Sequence, residues 1–255
     1  MGEREIREQQ FYDALGTSGS TTRSILDRYS EAFYEKGRRG RIWSPFWETT
    51  CLKDASVLDY GCGDGHFSLM LARMGARVSG IDISPQLIAQ ARTSAAKMGL
   101  NGNTPQFVAG DAHYTPFEGG MFDYVVGNGA LHHLDLDKAF AEIARVLKPG
   151  GTAVFMEPMV SHPLLRLLRG LTPKTHTVDE HPLSFADIES AQKWFTSCTH
   201  REHFLLAVCA APAHLLGKGF ALSVINSFDQ FDGFLMHMFP TLRRLAWLTV
   251  LELKR

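Results

Sequence analysis

The run from Val57 to Gly65 (Val-Leu-Asp-Tyr-Gly-Cys-Gly-Asp-Gly) constrains the fold more than any other segment. A short apolar stretch ends in acidic Asp59, and glycines then occupy alternate positions, at Gly61, Gly63 and Gly65. Glycine permits positive φ and lets a ligand lie against bare backbone at the start of a helix. The run therefore predicts a buried strand, a ligand-binding turn and a helix.

The residues in and after this turn restrict the class of ligand that can bind there. A dinucleotide fingerprint needs its third glycine one place later, where this chain has His66. Asp59 would repel a pyrophosphate but attracts a ligand that carries positive charge. Asp82 follows the next apolar run, about 20 residues after the first glycine, where α/β folds hold ribose hydroxyls. Together these residues indicate a nucleoside ligand with a cationic group.

Short apolar runs alternate with helical periods along the middle of the chain, which predicts βαβ units and a parallel sheet. Ser84 followed by Pro85 is typical of a helix start, and Pro149-Gly150-Gly151 marks the end of a later helix. The predicted strands cover 55–60, 77–81, 106–109, 122–126 and 152–155. Two later segments, 203–208 and 246–253, also have extended character.

The composition of the chain argues against some classes of binding partner and some cellular locations. The chain has 255 residues, 45% of them hydrophobic, and a formal charge of −1, so it can bury one substantial core but offers no broad basic surface for nucleic acid. Its four cysteines lack a CxxC pair and no leader precedes them, which favours reduced thiols and a cytoplasmic location. Lys218 interrupts the apolar stretch that begins at Phe204, so no transmembrane helix is expected, and contact with a membrane surface stays open.

These motifs resemble the class I family of methyltransferases that use S-adenosylmethionine (SAM), particularly small-molecule enzymes with a methyltransferase-11 or methyltransferase-25 type of domain. The resemblance covers about residues 55–156, where several motifs follow one another in the family's order, and it implies SAM as the cofactor. It places Asp59, Gly61 and Gly63 at the methionine part of SAM, Asp82 at the ribose, and Ile83, Asp111 and Ala112 around the adenine. Asn128, at the end of the fourth strand, would lie beside the methionine and the departing methyl group.

The resemblance also implies an α/β fold of the Rossmann-like class I type. Its mostly parallel seven-stranded sheet has helices on both faces, an antiparallel last strand and a helical or loop cap. Residues 246–253 are the candidate for the last strand. We expect an N-terminal helical cap at 1–45, the SAM-binding core at 46–160, and a substrate cap with completion of the sheet at 161–255.

Histidines are the candidate bases. His132 and His133 follow the fourth strand near the expected methyl group, and because they are adjacent, at most one should face a substrate. The alternative is that they only support the end of the strand. His181 in the expected cap is a third candidate, with solvated loop histidine as the alternative. Its neighbourhood lacks metal-ligand spacing, so no metal is expected. Glu157 is either a substrate-orienting acid or a satisfied carboxylate, and Tyr12 is either a lid residue or core.

The expected activity is methyl transfer to a small-molecule acceptor, with a hydrophobic metabolite as one candidate. Oxygen is the preferred acceptor atom because histidines are available as bases. The run 179–183 (Asp-Glu-His-Pro-Leu) is similar to one in bacterial methyltransferases of natural-product and glycan pathways. Methylation of nitrogen or carbon and a non-catalytic SAM-binding module are the alternatives. The aromatic segment 220–239 is either packed interior or an exposed patch, and the sequence leaves monomer and homodimer open.

Overall fold

The computed structural model describes residues 2–17, 43, 50–100, 103–163, 166–167, 179–209 and 218–255. The strands are β1 Ser56–Tyr60, β2 Arg77–Asp82, β3 Gln106–Ala109, β4 Phe122–Asn128, β5 Leu147–Pro158, β6 Ser197–His203 and β7 Leu248–Lys254. The α-helices are α1 Glu3–Thr17, α2 His66–Arg73, α3 Pro85–Met98, α4 Leu136–Val146, α5 Phe185–Ser190 and α6 Lys218–Met238.

The strands form one seven-stranded sheet in the order β3-β2-β1-β4-β5-β7-β6. β1 to β5 are parallel to one another, and β7 is antiparallel to both β5 and β6. The order reverses between β1 and β4, which is where open α/β sheets form a ligand crevice. The predicted fold class is confirmed, including an antiparallel last strand close to the predicted segment 246–253.

Both faces of the sheet are covered. Neighbouring residues in a strand point to opposite faces, and Val57 and Leu58 of β1 accordingly belong to different core clusters. Val57 packs with Phe67 and Leu71 of α2, whereas Leu58 shares its cluster with Phe140 of α4. Cover on both faces explains why four of the five residues of β1 are buried.

The predicted start of helix α3 is confirmed. Ser84 caps α3 by accepting a hydrogen bond from the amide of Leu87, and Pro85 is the first helical residue. Asp13 of α1 accepts a hydrogen bond from the Ser84 hydroxyl, so α1 is tied to the start of α3. The helical period predicted around Leu26, Tyr29 and Phe33 lies outside the described residues.

Two strand predictions need correction. β5 begins at Leu147 because Leu147 already pairs with Phe122, ahead of the predicted start at 152. The segment 203–208 is not a strand: β6 ends at His203, and Phe204 has a φ of 64°. The amides of Leu205, Leu206 and Ala207 instead donate to the carboxylate of Asp232 in α6, which replaces the hydrogen bonds that a strand would make.

Candidate active site

A cavity opens at the carboxyl ends of β1, β2 and β4, and two structural elements line it. The first, which we call the sheet wall, consists of Gly61, Gly63, Asp82, Ile83, Asp111, Ala112 and Asn128. The second, the helix wall, consists of Arg4, Glu5, Glu8 and Tyr12 of α1. Seven of the eight residues expected at the cofactor thus lie together, and Asp59 is the exception.

Gly61 cannot be replaced without moving its neighbours. Its φ is +76°, and a Cβ built there would lie 2.7 Å from the Cβ of Ala130. At Gly63 the φ is +53° and a Cβ would meet nothing within 4 Å, so that position faces open space. The turn therefore presents backbone to the cavity, as expected for close approach by a ligand.

Asp82 is held in place by two amides. Its carboxylate accepts hydrogen bonds from Gly63 at 2.8 Å and from Ser84 at 2.9 Å. Burial raises the pKa of Asp82, while these amide donors act in the opposite direction. The acid at the end of β2 thus links the glycine turn to the cap of α3 and keeps its position beside the cavity.

Asp111 is oriented by His113, a residue that the sequence analysis did not single out. The amide of Asp135 donates to Nε2 of His113 at 2.9 Å, and an amide can only donate, so Nε2 carries no proton. Nδ1 therefore carries it and donates to Oδ1 of Asp111 at 2.7 Å. This fixed tautomer occupies one oxygen of Asp111 at the cavity.

Asn128 presents an acceptor to the cavity. Its Oδ1 is buried and has no hydrogen-bond partner among the residues that the structure describes. An unsatisfied buried acceptor costs about 1 to 3 kcal/mol, so a ligand that brings an N–H donor here would recover that cost. With Asp82, Asp111, Glu5 and Glu8 also at the cavity, its lining favours a ligand with donors and positive charge.

His133 is the only one of the three candidate bases that the described cavity lining includes. Its Nε2 lies 2.8 Å from the hydroxyl of Tyr12, and its Nδ1 lies 3.2 Å from Oε2 of Glu8. The rings of Tyr12 and His133 also meet edge to face, 5.5 Å between centroids. The helix wall thus brings a hydroxyl and a carboxylate to the imidazole, and Tyr12 lines the cavity.

His132 has a different environment from that of its neighbour. It is buried, and its Nδ1 lies 2.7 Å from Oε2 of Glu157. Glu157 also accepts hydrogen bonds from the amides of Ala130 and Leu131, so it is the satisfied carboxylate of the two alternatives. Burial lowers the pKa of His132, and the nearby His133 lowers it further. This geometry supports the strand end and does not bring His132 to the cavity.

Two further predicted residues lie away from the cavity lining. Asp59 is 1% exposed and accepts a hydrogen bond from the Ser68 hydroxyl at 2.6 Å, so it holds α2 against β1. The side chain of His181 is 65% exposed, with Nε2 3.4 Å from Asp187. Only the backbone of His181 approaches the site, since its amide donates to the carbonyl oxygen of His132.

The sequence analysis missed most of the helix wall. Arg4, Glu5 and Glu8 stand on a helix with no strong apolar period, so no pattern marked them as functional. The run 179–183 gave a partial signal, because Asp179 accepts two hydrogen bonds from Arg7 and anchors α1 there. Its neighbour Glu180 lies 4.0 Å from Nε2 of His133.

Comparison with known proteins agrees with this architecture. The sequence model for the family described as "Methyltransferase domain" matches residues 58–155, which include the glycine turn, Asp82, Asp111 and the histidine pair. Residues 58–155 are a methyltransferase domain of the class I type.

Curated relatives match the same part of the chain. A demethylmenaquinone methyltransferase of Thermus thermophilus is 39% identical over 104 residues, which cover 40% of this chain and 46% of the relative. A sterol 4-C-methyltransferase of Caenorhabditis elegans is 37% identical over 100 residues, which cover 39% of this chain and 30% of the relative. The matched stretch thus spans less than half of each relative's length.

Solved structures match over the whole chain. Magnesium protoporphyrin IX methyltransferase of Synechocystis, with bound SAH, superposes with a TM-score of 0.64 at 15% identity and covers 99% of this chain and 100% of that one. Geranyl diphosphate C-methyltransferase of Streptomyces coelicolor gives 0.64 at 15% identity, with 100% and 98% covered. At this identity the likeness establishes the fold, the class I methyltransferase fold.

Proposed function

We propose that this protein binds SAM in the cavity and transfers its methyl group to an oxygen atom of a small molecule. The observation that carries the proposal is the position of His133. It stands at the cavity beside the sheet wall, with Tyr12 on one ring nitrogen and Glu8 near the other.

The sheet wall fits the cofactor. The Oδ1 of Asn128 would accept from its amino group, Asp82 from its ribose hydroxyls, and Asp111 from its adenine amino group, with Ile83 and Ala112 beside the ring. The backbone at Gly61 and Gly63 leaves room for the methionine part. When bound, SAM supplies an electrophilic methyl group on a positively charged sulfur, and the acidic lining suits that charge.

The chain's own residues then position the acceptor and move one proton. SAM would supply the methyl group to the acceptor oxygen, and the acceptor hydroxyl would give up its proton to Nε2 of His133 through the hydroxyl of Tyr12, which contacts that nitrogen. Glu8 lies close enough to stabilise the positive charge that the ring gains. Proximity supplies about 7 to 11 kcal/mol of the barrier reduction, and a base contributes about 10² to 10⁴-fold.

The acceptor class is proposed as a natural-product or glycan-pathway metabolite, with a hydrophobic part. The run 179–183, whose likeness suggests this class, adjoins His133 through Glu180 and holds α1 through Asp179. Carbon methylation is the second candidate, because the relatives include enzymes named for methylation of carbon. A carbon acceptor would need no strong base.

The test compares two histidine variants. With methyl-labelled SAM and polar and lipid extracts, His133→Asn should lower label transfer by about 10² to 10⁴-fold, while calorimetry shows unchanged SAM affinity. His181→Asn is the matched control, since its exposed side chain should leave transfer as in the parent. Full activity in His133→Asn would exclude the base and favour carbon methylation. SAM binding without transfer to any extract would make the protein a non-catalytic binder.

A further inference from the structure

Helix α6 has a second apolar face, which is exposed in the part of the chain that the structure describes. At about 100° per residue, Ile225, Asp232 and Met236 project to one side of the helix, and all three are buried. Phe231, Phe234 and Met238 project to a different side and are 50%, 59% and 55% exposed. Packing against the sheet therefore does not explain why these side chains are apolar.

Three further phenylalanines are exposed on α6 or just past its end. They are Phe228, Phe220 and Phe239, at 38%, 52% and 57% exposure. The rings of Phe231 and Phe234 are stacked, 6.5 Å between centroids. We call six residues the aromatic face: Phe220, Phe228, Phe231, Phe234, Met238 and Phe239. Single exposed apolar residues are common, but six on one helix and its end indicate an interaction surface.

The exposed charge in the segment that carries the aromatic face has one sign. From Phe204 to Leu251 the only formally charged residues are Lys218, Asp229, Asp232, Arg243 and Arg244. Asp232 is fully buried, and the Asp229 side chain is 12% exposed and lies 3.6 Å from His203. Arg243 and Arg244 are exposed in the turn Pro240–Leu245 that follows α6. Within this segment, the exposed charge that the structure describes is therefore positive.

Topology places both ends of the connection that carries this surface at the same edge of the sheet as the cavity. His203, the last residue of β6, pairs with Leu248, the first residue of β7, and Leu248 also pairs with Pro158 at the end of β5. The segment between β6 and β7, which includes α6, therefore leaves the sheet at the carboxyl ends of the parallel strands. The cavity lies at the same ends of β1, β2 and β4.

We propose that the aromatic face and the arginine pair, Arg243 and Arg244, dock on an anionic lipid surface. The phenyl rings would enter the boundary between headgroups and acyl chains, while the two guanidinium groups would meet lipid phosphates. A segment that carries exposed phenylalanines and arginines, with its two acids Asp229 and Asp232 buried or mostly buried, matches this partner in both polarity and charge. Docking does not depend on the proposed methyl transfer.

Vesicle co-sedimentation of the full chain tests the proposal. Vesicles of phosphatidylcholine with phosphatidylglycerol should bind the protein, vesicles of phosphatidylcholine alone should bind it less, and added salt should weaken binding. The double variant Phe231→Ser with Phe234→Ser should lose at least about tenfold in affinity. Arg243→Gln and Arg244→Gln should each lose about fivefold, and only on the anionic vesicles.

The matched control is Asn226→Ser with Gln230→Ser, which changes exposed polar residues on the same helix and should bind as the parent does. Should the serine variants unfold, Phe234→Trp in the otherwise unchanged chain should show added fluorescence quenching by brominated lipid. Absence of vesicle binding, or binding that the aromatic variants do not weaken, would overturn the proposal. So would a dimer in sedimentation equilibrium that the aromatic variants dissociate, because a second copy would then cover the face.

Discussion

The sheet wall of the cavity is made of backbone and short side chains that follow buried strands, whereas the helix wall is made of long side chains on one N-terminal helix. In the sheet wall, the groups follow the strands before them, and Asp82 is also held by the amides of Gly63 and Ser84. In the helix wall, position depends on docking contacts such as Arg7 with Asp179. We therefore expect the sheet wall to bind the cofactor and the helix wall to act on the acceptor.

The largest expected effect is that of Gly61→Ala in the sheet wall. The new Cβ would collide with Ala130, and the left-handed φ adds strain, so the free energy of unfolding should fall by about 2 to 5 kcal/mol. SAM affinity measured by calorimetry should fall with it. Gly99→Ala is the control, because that glycine has a φ of +59° but open space around it, and chemical denaturation should show a loss of only about 1 to 2 kcal/mol. Equal losses in the two variants would mean that close packing at Gly61 contributes nothing.

Asp82→Asn tests the sheet wall without a steric change. Removing the charge from the acceptor of the ribose hydroxyls should weaken SAM binding by about 1 to 3 kcal/mol, or about 5 to 150-fold, in calorimetry. The exposed Asp64 in the same turn provides the matched variant, Asp64→Asn, which should bind as the parent does. Unchanged SAM affinity in Asp82→Asn would mean that the ribose does not bind at Asp82.

Tyr12→Phe tests the helix wall. Loss of the hydroxyl that contacts Nε2 of His133 should lower the kcat of methyl transfer by about 2 to 12-fold, the value of one hydrogen bond, with little change in SAM affinity. Tyr114→Phe removes a hydroxyl from a tyrosine that is 71% exposed and should change neither quantity. A Tyr12→Phe variant that lost SAM affinity but kept its kcat would mean that the helix wall binds the cofactor and does not act on the acceptor.

Local signals explain what the sequence could predict. The turn at Gly61 and the cap at Ser84 are encoded within a few residues, and β1 to β4 were placed correctly as elements. The residues predicted at the cofactor, apart from Asp59, lie together at the cavity. β6 was misplaced because, as an edge strand, its sequence Ser-Cys-Thr-His-Arg-Glu-His is polar and mostly unburied. The apolar segment after it is a turn whose amides are satisfied by Asp232, between 25 and 27 residues away. Contacts at that distance, like that of Glu8 with His133, leave no periodic pattern.

The smallest expected effect separates the two adjacent histidines. Burial lowers the pKa of His132 below its usual 6.5, so the folded state disfavours a proton that the unfolded chain accepts. The stability that this neutral ring contributes is complete above pH 6.5 and is lost as the pH falls toward the folded pKa, by at most about 1.4 kcal/mol per pH unit. His132→Asn keeps a donor for Glu157 but cannot titrate, so its free energy of unfolding should fall less steeply with acidification than that of the parent. The exposed His66 gives the control, His66→Asn, whose unfolding should follow the parent's pH dependence. If His132→Asn and the parent had the same slope, His132 would bind its proton equally in the folded and unfolded states, and burial would not shift its pKa. A parent whose stability fell less steeply than that of the variant would mean that His132 is charged in the folded protein and forms an ion pair with Glu157.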